Sequence, residues 1–355
     1  MVAEALPTTM HAWQGSAGGK KPIRVEIPVP KLEPDGVLVR VLASGVCHSD
    51  CFILGLPGSL PGWKEKFVMG HEGSGVIVKL GAEVPTSFHV GQRVAILCTP
   101  GCNKPSCGEC GRGYQRLCGL GQNPGLGSDG VFAQYVALKP WGIVPLPEGV
   151  SSEVGAVSAD AVTTAYHAVK NAAEVQSNQT IVIFGLGGVG FNALQIAIHF
   201  KAKRIIVVDT RQEVLDEAVK LGVAKEDALN ATAGQKLEEY AAKDKIIIDT
   251  TIDFVGNEQT FLSAQLALRP AGRLVLVGLF VQQLPLITLA VVMKDIRIQC
   301  SYNGTRQELI ECLDLIAKGV ISPRVEVGSI KDLPHVLEDL EAGKIKSRMV
   351  LLPNY

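Results

Sequence analysis

Nine cysteines are spread unevenly along the chain, and four of them, Cys102, Cys107, Cys110 and Cys118, stand as C-x4-C-x2-C-x7-C. Four thiolates in so short a span can close a tetrahedral zinc site. Protein would fill all four positions, so such a site is structural and folds a loop that has no core of its own. Cys98 competes for the first ligand position. It ends the apolar run Val94-Ala-Ile-Leu and reads better as packed in a strand, so Cys102 is preferred. The lobe is not basic enough to favour a zinc module for nucleic acid. Two other polar clusters are Cys47-His-Ser-Asp-Cys-Phe and Gly70-His-Glu-Gly-Ser-Gly. A catalytic zinc needs three protein ligands and one open position. Cys47 and His71 are natural candidates for two of them. Asp50 and Glu72 lie close by in sequence, either as groups that orient ligands or as alternative ligands. Spacing alone does not choose the third ligand.

A different chemistry is written in Gly185-Leu-Gly-Gly-Val-Gly190, which follows an apolar run and opens a helical pattern. Asp209 ends the next apolar run, 19 positions beyond Gly190. Such a glycine pattern is weak alone and strong in this setting, with an acid about 20 residues on. Gly185 permits the tight turn, Gly187 lets backbone approach a pyrophosphate, and Gly190 lets helix pack closely on strand. Gly188 and Val189 complete the turn. The helix N-terminus offers N–H groups and the positive end of its dipole to the phosphates. Asp209 is suited to accept hydrogen bonds from adenosine ribose hydroxyls and to repel a 2′-phosphate, which favours NAD(H) over NADP(H). Arg211 argues the other way, since a guanidinium can pair with that phosphate.

These residues need elements to hold them. At 355 residues the chain exceeds one ordinary core, so two domains are expected. With 47% hydrophobic and 19% charged residues there is ample material for buried cores, which rules out wholesale disorder. The 34 Lys and Arg nearly balance the 35 Asp and Glu, which argues against an electrostatic nucleic-acid binder. Met1 to Gly19 carries no basic start followed by an apolar run, so no secretory leader is read there. The longest apolar stretches, such as Leu284 to Met293, fall short of the roughly 20 residues that span a bilayer. The expected setting is the cytosol, without membrane partners, where cysteines serve as thiols or metal ligands.

To about residue 155 the chain is rich in Gly, Pro and Val. Segments such as Val37-Leu-Val-Arg-Val-Leu and Gly75-Val-Ile-Val predict short strands of an all-β, barrel-like domain. The loop Leu54 to Val68 and the cysteine lobe, about 98–120, interrupt it. After Ser151 the texture changes. Thr180-Ile-Val-Ile-Phe, Arg204-Ile-Ile-Val-Val-Asp, Lys245-Ile-Ile-Ile-Asp and Arg273-Leu-Val-Leu-Val-Gly read as buried strands. Between them Val214, Ala218 and Leu221 share one helix face. Strand alternating with helix predicts a doubly wound parallel sheet. Near Ile296-Arg-Ile-Gln the β texture returns, a helix follows with Leu309, Leu313 and Ile316 on one face, and Ser347-Arg-Met-Val-Leu-Leu reads as a final strand. The expected division is 1–157 with 298–355 for the first domain and 158–297 for the second.

Taken together, Cys47-His-Ser-Asp, Gly70-His-Glu-Gly, the cysteine lobe, Gly185-Leu-Gly-Gly-Val-Gly and the ending Ser347-Arg-Met-Val-Leu resemble a zinc-dependent alcohol dehydrogenase of the medium-chain dehydrogenase/reductase superfamily, over nearly the whole length. The resemblance implies a GroES-like catalytic domain of β-barrel type, a Rossmann domain for NAD(H), and an active site in the cleft between them. It implies two zinc ions, one catalytic and one structural, and hydride transfer between an alcohol and NAD+, or between a carbonyl compound and NADH. By position, Cys47 and His71 match catalytic ligands. The third falls in Ser158-Ala-Asp-Ala-Val-Thr-Thr-Ala-Tyr, where Asp160 occupies it, as in relatives that resemble secondary-alcohol dehydrogenases. Asp50 matches the residue that orients the ligand His, and Glu72 the acid that swings onto zinc during ligand exchange. Ser49 matches the first relay hydroxyl, His48 a cofactor contact, Thr164 a neighbour of the nicotinamide, and Arg348 the tail Arg that meets the pyrophosphate. Val255 and the segment Val277 to Leu279 match borders of the nicotinamide half.

Two departures stand out. The cysteine lobe has two extra residues, Lys104-Pro105 or neighbours, where the family usually shows C-x2-C. Phe52 stands where many relatives carry a relay His. The closest rival readings are an NADPH-linked aldehyde reductase on the same fold, a zinc-free reductase, and a binding protein without turnover. Trp63, in the loop from Leu54 to Lys66, divides evenly between lining a pocket entrance and packing on the surface. The partner is a small alcohol, aldehyde or ketone, and relatives assemble as homodimers or homotetramers.

Overall fold

Gly/Pro-punctuated alternation lays down the first eight strands: β1 (Thr9–Gly15), β2 (Ile23–Pro28), β3 (Val37–Gly45), β4 (Phe67–Val68), β5 (Glu72–Leu80), β6 (Arg93–Ile96), β7 (Tyr135–Leu138) and β8 (Ile143–Pro145). The chain was analysed as a computed structural model, which describes residues 6–355. Buried helical turns from Ser152 to Ala172 lead to β9 (Thr180–Phe184), β10 (Arg204–Asp209), β11 (Ala228–Asn230), β12 (Ile248–Asp253), β13 (Leu268–Leu276) and β14 (Arg297–Cys300). The chain closes with β15 (Val325–Ser329) and β16 (Arg348–Leu352).

Two compact units result. The first runs to Thr163 and takes in Gly304–Lys318 and Pro323–Tyr355. Its main sheet has the order β15-β16-β3-β5-β6-β8, with β7 also paired to β3, and a second sheet joins β2-β1-β4. In β3 the side chains of Val37, Val39 and Val41 are buried on one face, and Leu38 is buried on the other, where Arg40 is exposed. Those valines pack with Ile77, Val94 and Ile96 from β5 and β6. A separate core of Trp13, Ile53, Phe67, Met69, Phe132 and Leu351 packs the helix His48–Gly55 and thereby fixes its first turn.

The second unit is Thr164–Asn303 with Gly319–Ser322. Its sheet is wholly parallel, with the order β11-β10-β9-β12-β13-β14. This is the 3-2-1-4-5-6 order of the dinucleotide-binding fold. All five residues of β9 are buried, because helices cover both faces of such a sheet. The turn after β9 requires its glycines. Gly185 has φ +83°, and a Cβ on Gly190 would collide with the Gly185 carbonyl oxygen.

Some expectations are corrected. The segment at Ile296 joins the second unit: Arg297–Cys300 pairs in parallel with β13, Arg273 opposite Arg297. A strand's own composition does not say which sheet it enters. The units therefore divide at Thr163/Thr164 and Asn303/Gly304 rather than at 157/158 and 297/298, and Asp160 lies in the first. Lys245 to Ile247 is not strand, because the helix Leu237–Asp244 closes on Lys245 at φ +52° and β12 starts at Ile248. Leu221 is exposed, since the helix Gln212–Lys220 ends before it. Ile316 is only half-buried on its helix Arg306–Ala317. Among the described residues no helix is long and apolar enough to cross a membrane.

Replacing Gly190 with Ala is expected to destabilise the second unit by about 3 kcal/mol, as overpacking against backbone does. Chemical denaturation checks it; an unchanged midpoint would mean the turn has room.

Candidate active site

Cys47 precedes the helix His48–Gly55 and acts as its N-cap. Its N–H donates to Asp50 Oδ2 at 3.0 Å, closing a capping box. The other Asp50 oxygen lies 3.1 Å from His71 Nδ1. Nδ1–H donating to that carboxylate leaves Nε2 as the lone-pair nitrogen. One buried carboxylate therefore sets both the helix start and the imidazole orientation. His71 sits just ahead of β5, after Gly70, whose φ of +87° and contact with the Phe132 ring leave no room for a side chain.

Asp160 comes from a buried π-helical turn, Ser158–Val162. Wide turns of this kind recur at functional sites. Its Oδ2 lies 3.7 Å from Cys47 Sγ and 3.7 Å from His71 Nε2. Zinc bonds of about 2.0–2.3 Å place tetrahedral ligand atoms about 3.3–3.8 Å apart, so the observed spacing fits one ion. Cys47, His71, Glu72 and Asp160 offer ligand atoms that all lie within 4.8 Å of one another.

Arg348, on β16, reaches into this cluster. Its Nε lies 3.1 and 3.0 Å from the two Glu72 oxygens, and its Nη2 bonds Glu72 Oε1 and, at 3.2 Å, Asp160 Oδ2. The guanidinium expected to meet a pyrophosphate is thus buried between two carboxylates. Burial pushes the Glu72 carboxyl up to about 7, against the pull of Arg348. Asp160 moves the other way: burial opposes ionisation, but His71 and Arg348 hold its carboxyl below the usual range. Burial also disfavours a charged His71, yet Asp50, Cys98 and Asp160 outweigh it and raise the imidazole well above its ordinary value. Asp50, Glu72 and Asp160 are buried with Arg348 and His71 as their partners in a space that is almost dry. A thiol, an imidazole and carboxylates gathered this closely form a donor set that suits a divalent cation.

The cysteine lobe fits a second ion. Cys102 Sγ lies 3.7 Å from Cys110 Sγ, and Cys107 Sγ 3.7 Å from Cys118 Sγ. Four thiolates around zinc at about 2.3 Å stand about 3.8 Å apart. The extra residues form an exposed turn, 103–106, in which Cys107 N–H donates to the Lys104 carbonyl, so the insertion does not part the sulfurs. Cys98 is not in this set. It is wholly buried, and its thiol is pushed up by burial, with Asp160 and Glu72 acting in the same sense. Sequence reasoning did not place this thiol beside His71; its position at the end of the apolar run Val94-Ala-Ile-Leu is the signal that was available.

In the second unit the turn after β9 meets the end of β10. Leu186 N–H donates to Asp209 Oδ2 at 2.6 Å. A Cβ on Gly187 would meet nothing within 4 Å, which leaves its backbone open to a ligand. Val255 packs on Gly185, and Asp253 holds the Val255 and Gly256 N–H groups at 2.9 Å each. Val277 is half-buried, while Leu279 is 70% exposed. Thr164 is buried at the start of this unit. In the first unit Ser49 is half-buried, its Oγ 3.6 Å from Cys47 Sγ, and His48 and Phe52 are exposed. Trp63 packs edge-on against Phe67, centroids 5.9 Å apart, and its ring covers Gly127. That contact supports the surface-packing alternative.

Residues 33–148 match the family profile described as alcohol dehydrogenase GroES-like domain, and residues 188–318 match zinc-binding dehydrogenase. An alcohol dehydrogenase of Rhizobium meliloti (strain 1021) is 33% identical over 340 residues, covering 94% of this chain and 96% of its own. Alcohol dehydrogenase 1 of Emericella nidulans is 33% identical over 98% of this chain and 99% of its own. Among solved structures, acetophenone reductase from Geotrichum candidum NBRC 4597, in complex with NAD, superposes with a TM-score of 0.87 at 34% identity, covering 99% of both chains. An alcohol dehydrogenase of Aeropyrum pernix gives 0.86 at 29% identity, covering 97% of this chain and all of the other.

Two metal clusters predict two separable losses. Asp160→Ala is expected to remove one of the two zinc ions per chain, and Cys110→Ala the other. Cys110→Ala is also expected to lower the melting temperature, because the lobe has little other core. Metal analysis of the purified variants checks this. Full zinc occupancy in Asp160→Ala would remove Asp160 from the ligand set.

Proposed function

The chain belongs to the zinc-dependent alcohol dehydrogenase family of the medium-chain dehydrogenase/reductase superfamily, and from that premise we propose that it interconverts an alcohol with a ketone or aldehyde, using NAD(H). The observation that carries the reading is the buried trio Cys47, His71 and Asp160, spaced for one ion, with Asp50 fixing the imidazole. When bound, zinc supplies Lewis acidity toward the substrate oxygen, and NAD(H) supplies or accepts the hydride.

The chain's own residues do the positioning. Asp50 keeps His71 Nε2 turned toward Cys47 and Asp160. Arg348 fixes the Asp160 carboxylate and holds Glu72 close to it. Ser49 is the hydroxyl read as taking or passing the substrate proton. Phe52 cannot continue that route, because it has no titratable group. The turn Gly185–Gly190 is read as the pyrophosphate site and Asp209 as the ribose acceptor. One thiolate, one carboxylate and one neutral imidazole cancel the charge of the dication, as two thiolates and an imidazole would. The carboxylate is the harder ligand, which shifts the affinity for zinc.

The likeness to an acetophenone reductase puts aryl ketones beside short aliphatic ones as substrates to try. Self-association is also part of the reading. β14 is an edge strand with all four residues exposed, and Phe280, Leu289, Val292 and Met293 are exposed close by in sequence. An open strand edge together with exposed apolar side chains is a pairing surface, and a second copy of the chain is the partner that fits it.

NADH oxidation across a panel of aldehydes and ketones is expected to show turnover that chelation abolishes and zinc restores. Turnover that survives complete metal removal would favour a zinc-free reductase on this fold. Leu289→Asp with Met293→Asp is expected to lower the solution mass by light scattering. An unchanged mass would move the assembly surface elsewhere.

A further inference from the structure

Asp209 has no acceptor capacity to spare. A carboxylate offers about four lone-pair sites. Leu186 N–H donates to Oδ2 at 2.6 Å and Arg211 N–H to Oδ1 at 2.9 Å. Arg211 Nε donates to Oδ1 at 3.1 Å and Arg211 Nη2 to Oδ2 at 3.2 Å. The two backbone donors are fixed by the fold, one in the glycine turn and one directly after β10. The guanidinium is not. Its side chain is 28% exposed, against 6% for that of Asp209. A ribose that brings hydroxyls to Asp209 must therefore take the acceptor sites that the guanidinium holds.

We propose that Arg211 determines cofactor choice as an internal competitor: its guanidinium occupies the Asp209 sites that ribose hydroxyls need, and once displaced it becomes the partner of a 2′-phosphate. The proposal rests on the NAD(H) reading above and adds a residue to it. With the fork closed, Asp209 and Arg211 present no net charge, so the pair itself neither strongly repels nor attracts a phosphate. The polar side chains beside it are held by one another. Asn230 Nδ2 donates to Gln212 Oε1 at 2.9 Å, and Thr232 Oγ1 to the Thr210 carbonyl at 3.1 Å. NAD(H) binding opens the fork and leaves the guanidinium in water. NADP(H) binding opens the same fork but gives the guanidinium a phosphate in place of the carboxylate, a charge-assisted exchange. Discrimination between the two cofactors is then set by the pair, and Asp209 alone does not fix it.

Dissociation constants for NADH and NADPH, read from cofactor fluorescence on the full chain, test this. Arg211→Ala keeps the backbone N–H and frees two acceptor sites. It is expected to tighten NADH roughly fivefold, the scale of a partly exposed ion pair, and to weaken NADPH about tenfold. Asp209→Asn is expected to tighten NADPH, and adding Arg211→Ala to it should abolish that gain. Melting curves on all variants confirm that they fold. If Arg211→Ala weakens NADH, the guanidinium contacts the cofactor directly and the competitor role falls. If neither constant moves, the role falls as well. If the unsubstituted chain binds NADPH but not NADH, or neither, the NAD(H) reading itself fails and takes the proposal with it.

Discussion

Buried negative charge is the constraint around which the first unit is built. Asp50, Glu72 and Asp160 are nearly without solvent, and each is tied to a specific partner: Asp50 to the Cys47 N–H and His71, Glu72 to Arg348, Asp160 to Arg348 and the ligand atoms. An unpaired carboxylate in such a place would protonate or unfold its surroundings. The main sheet serves that arrangement. β5 carries Glu72, β16 carries Arg348, and β3 stands between them in the sheet while leading into Cys47. Apart from Asp160, which comes from the π-helical turn, the site is thus assembled from strand ends and the turns beside them, where backbone already held in a ladder limits how far a ligand can drift.

The second unit solves a different problem, that of bringing backbone close to a ligand. Glycine does it. Gly185, Gly190, Gly256 and Gly278 lie where β9, β12 and β13 give way to turns, and a side chain at Gly185, Gly190 or Gly278 would strike the neighbouring turn. Asp253 closes the arrangement by accepting the Val255 and Gly256 N–H groups and the Thr260 hydroxyl. N–H donors fixed by the fold at a helix start are suited to a phosphate.

Much of this was legible in the sequence, for reasons that can be stated. Buried parallel strands are continuous apolar runs, so β9 and β10 were read with their observed limits. The four-cysteine spacing is itself the site, since short loops between ligands leave few other geometries. Three things were not legible. The third ligand, Asp160, is 89 positions from His71, and no local pattern links them; only resemblance selected it. The sheet that β14 joins depends on pairing with β13, which its own four residues do not encode. The charges met by Arg348 and Arg211 are tertiary facts: a sequence shows a cation near an expected phosphate, and not that a carboxylate already holds it.

Arg348 reaches back 276 positions to Glu72 and 188 to Asp160. During synthesis the ligands Cys47, His71 and Asp160 all emerge long before the residue that balances the acids among them. The acids Glu72 and Asp160 therefore stay without their shared cation until β16 has been made. A chain lacking β16 would retain every candidate ligand and the whole cofactor turn, but it would lack the cation that pairs Glu72 and Asp160. Damage remote in sequence from the metal would then register first as damage to the metal site.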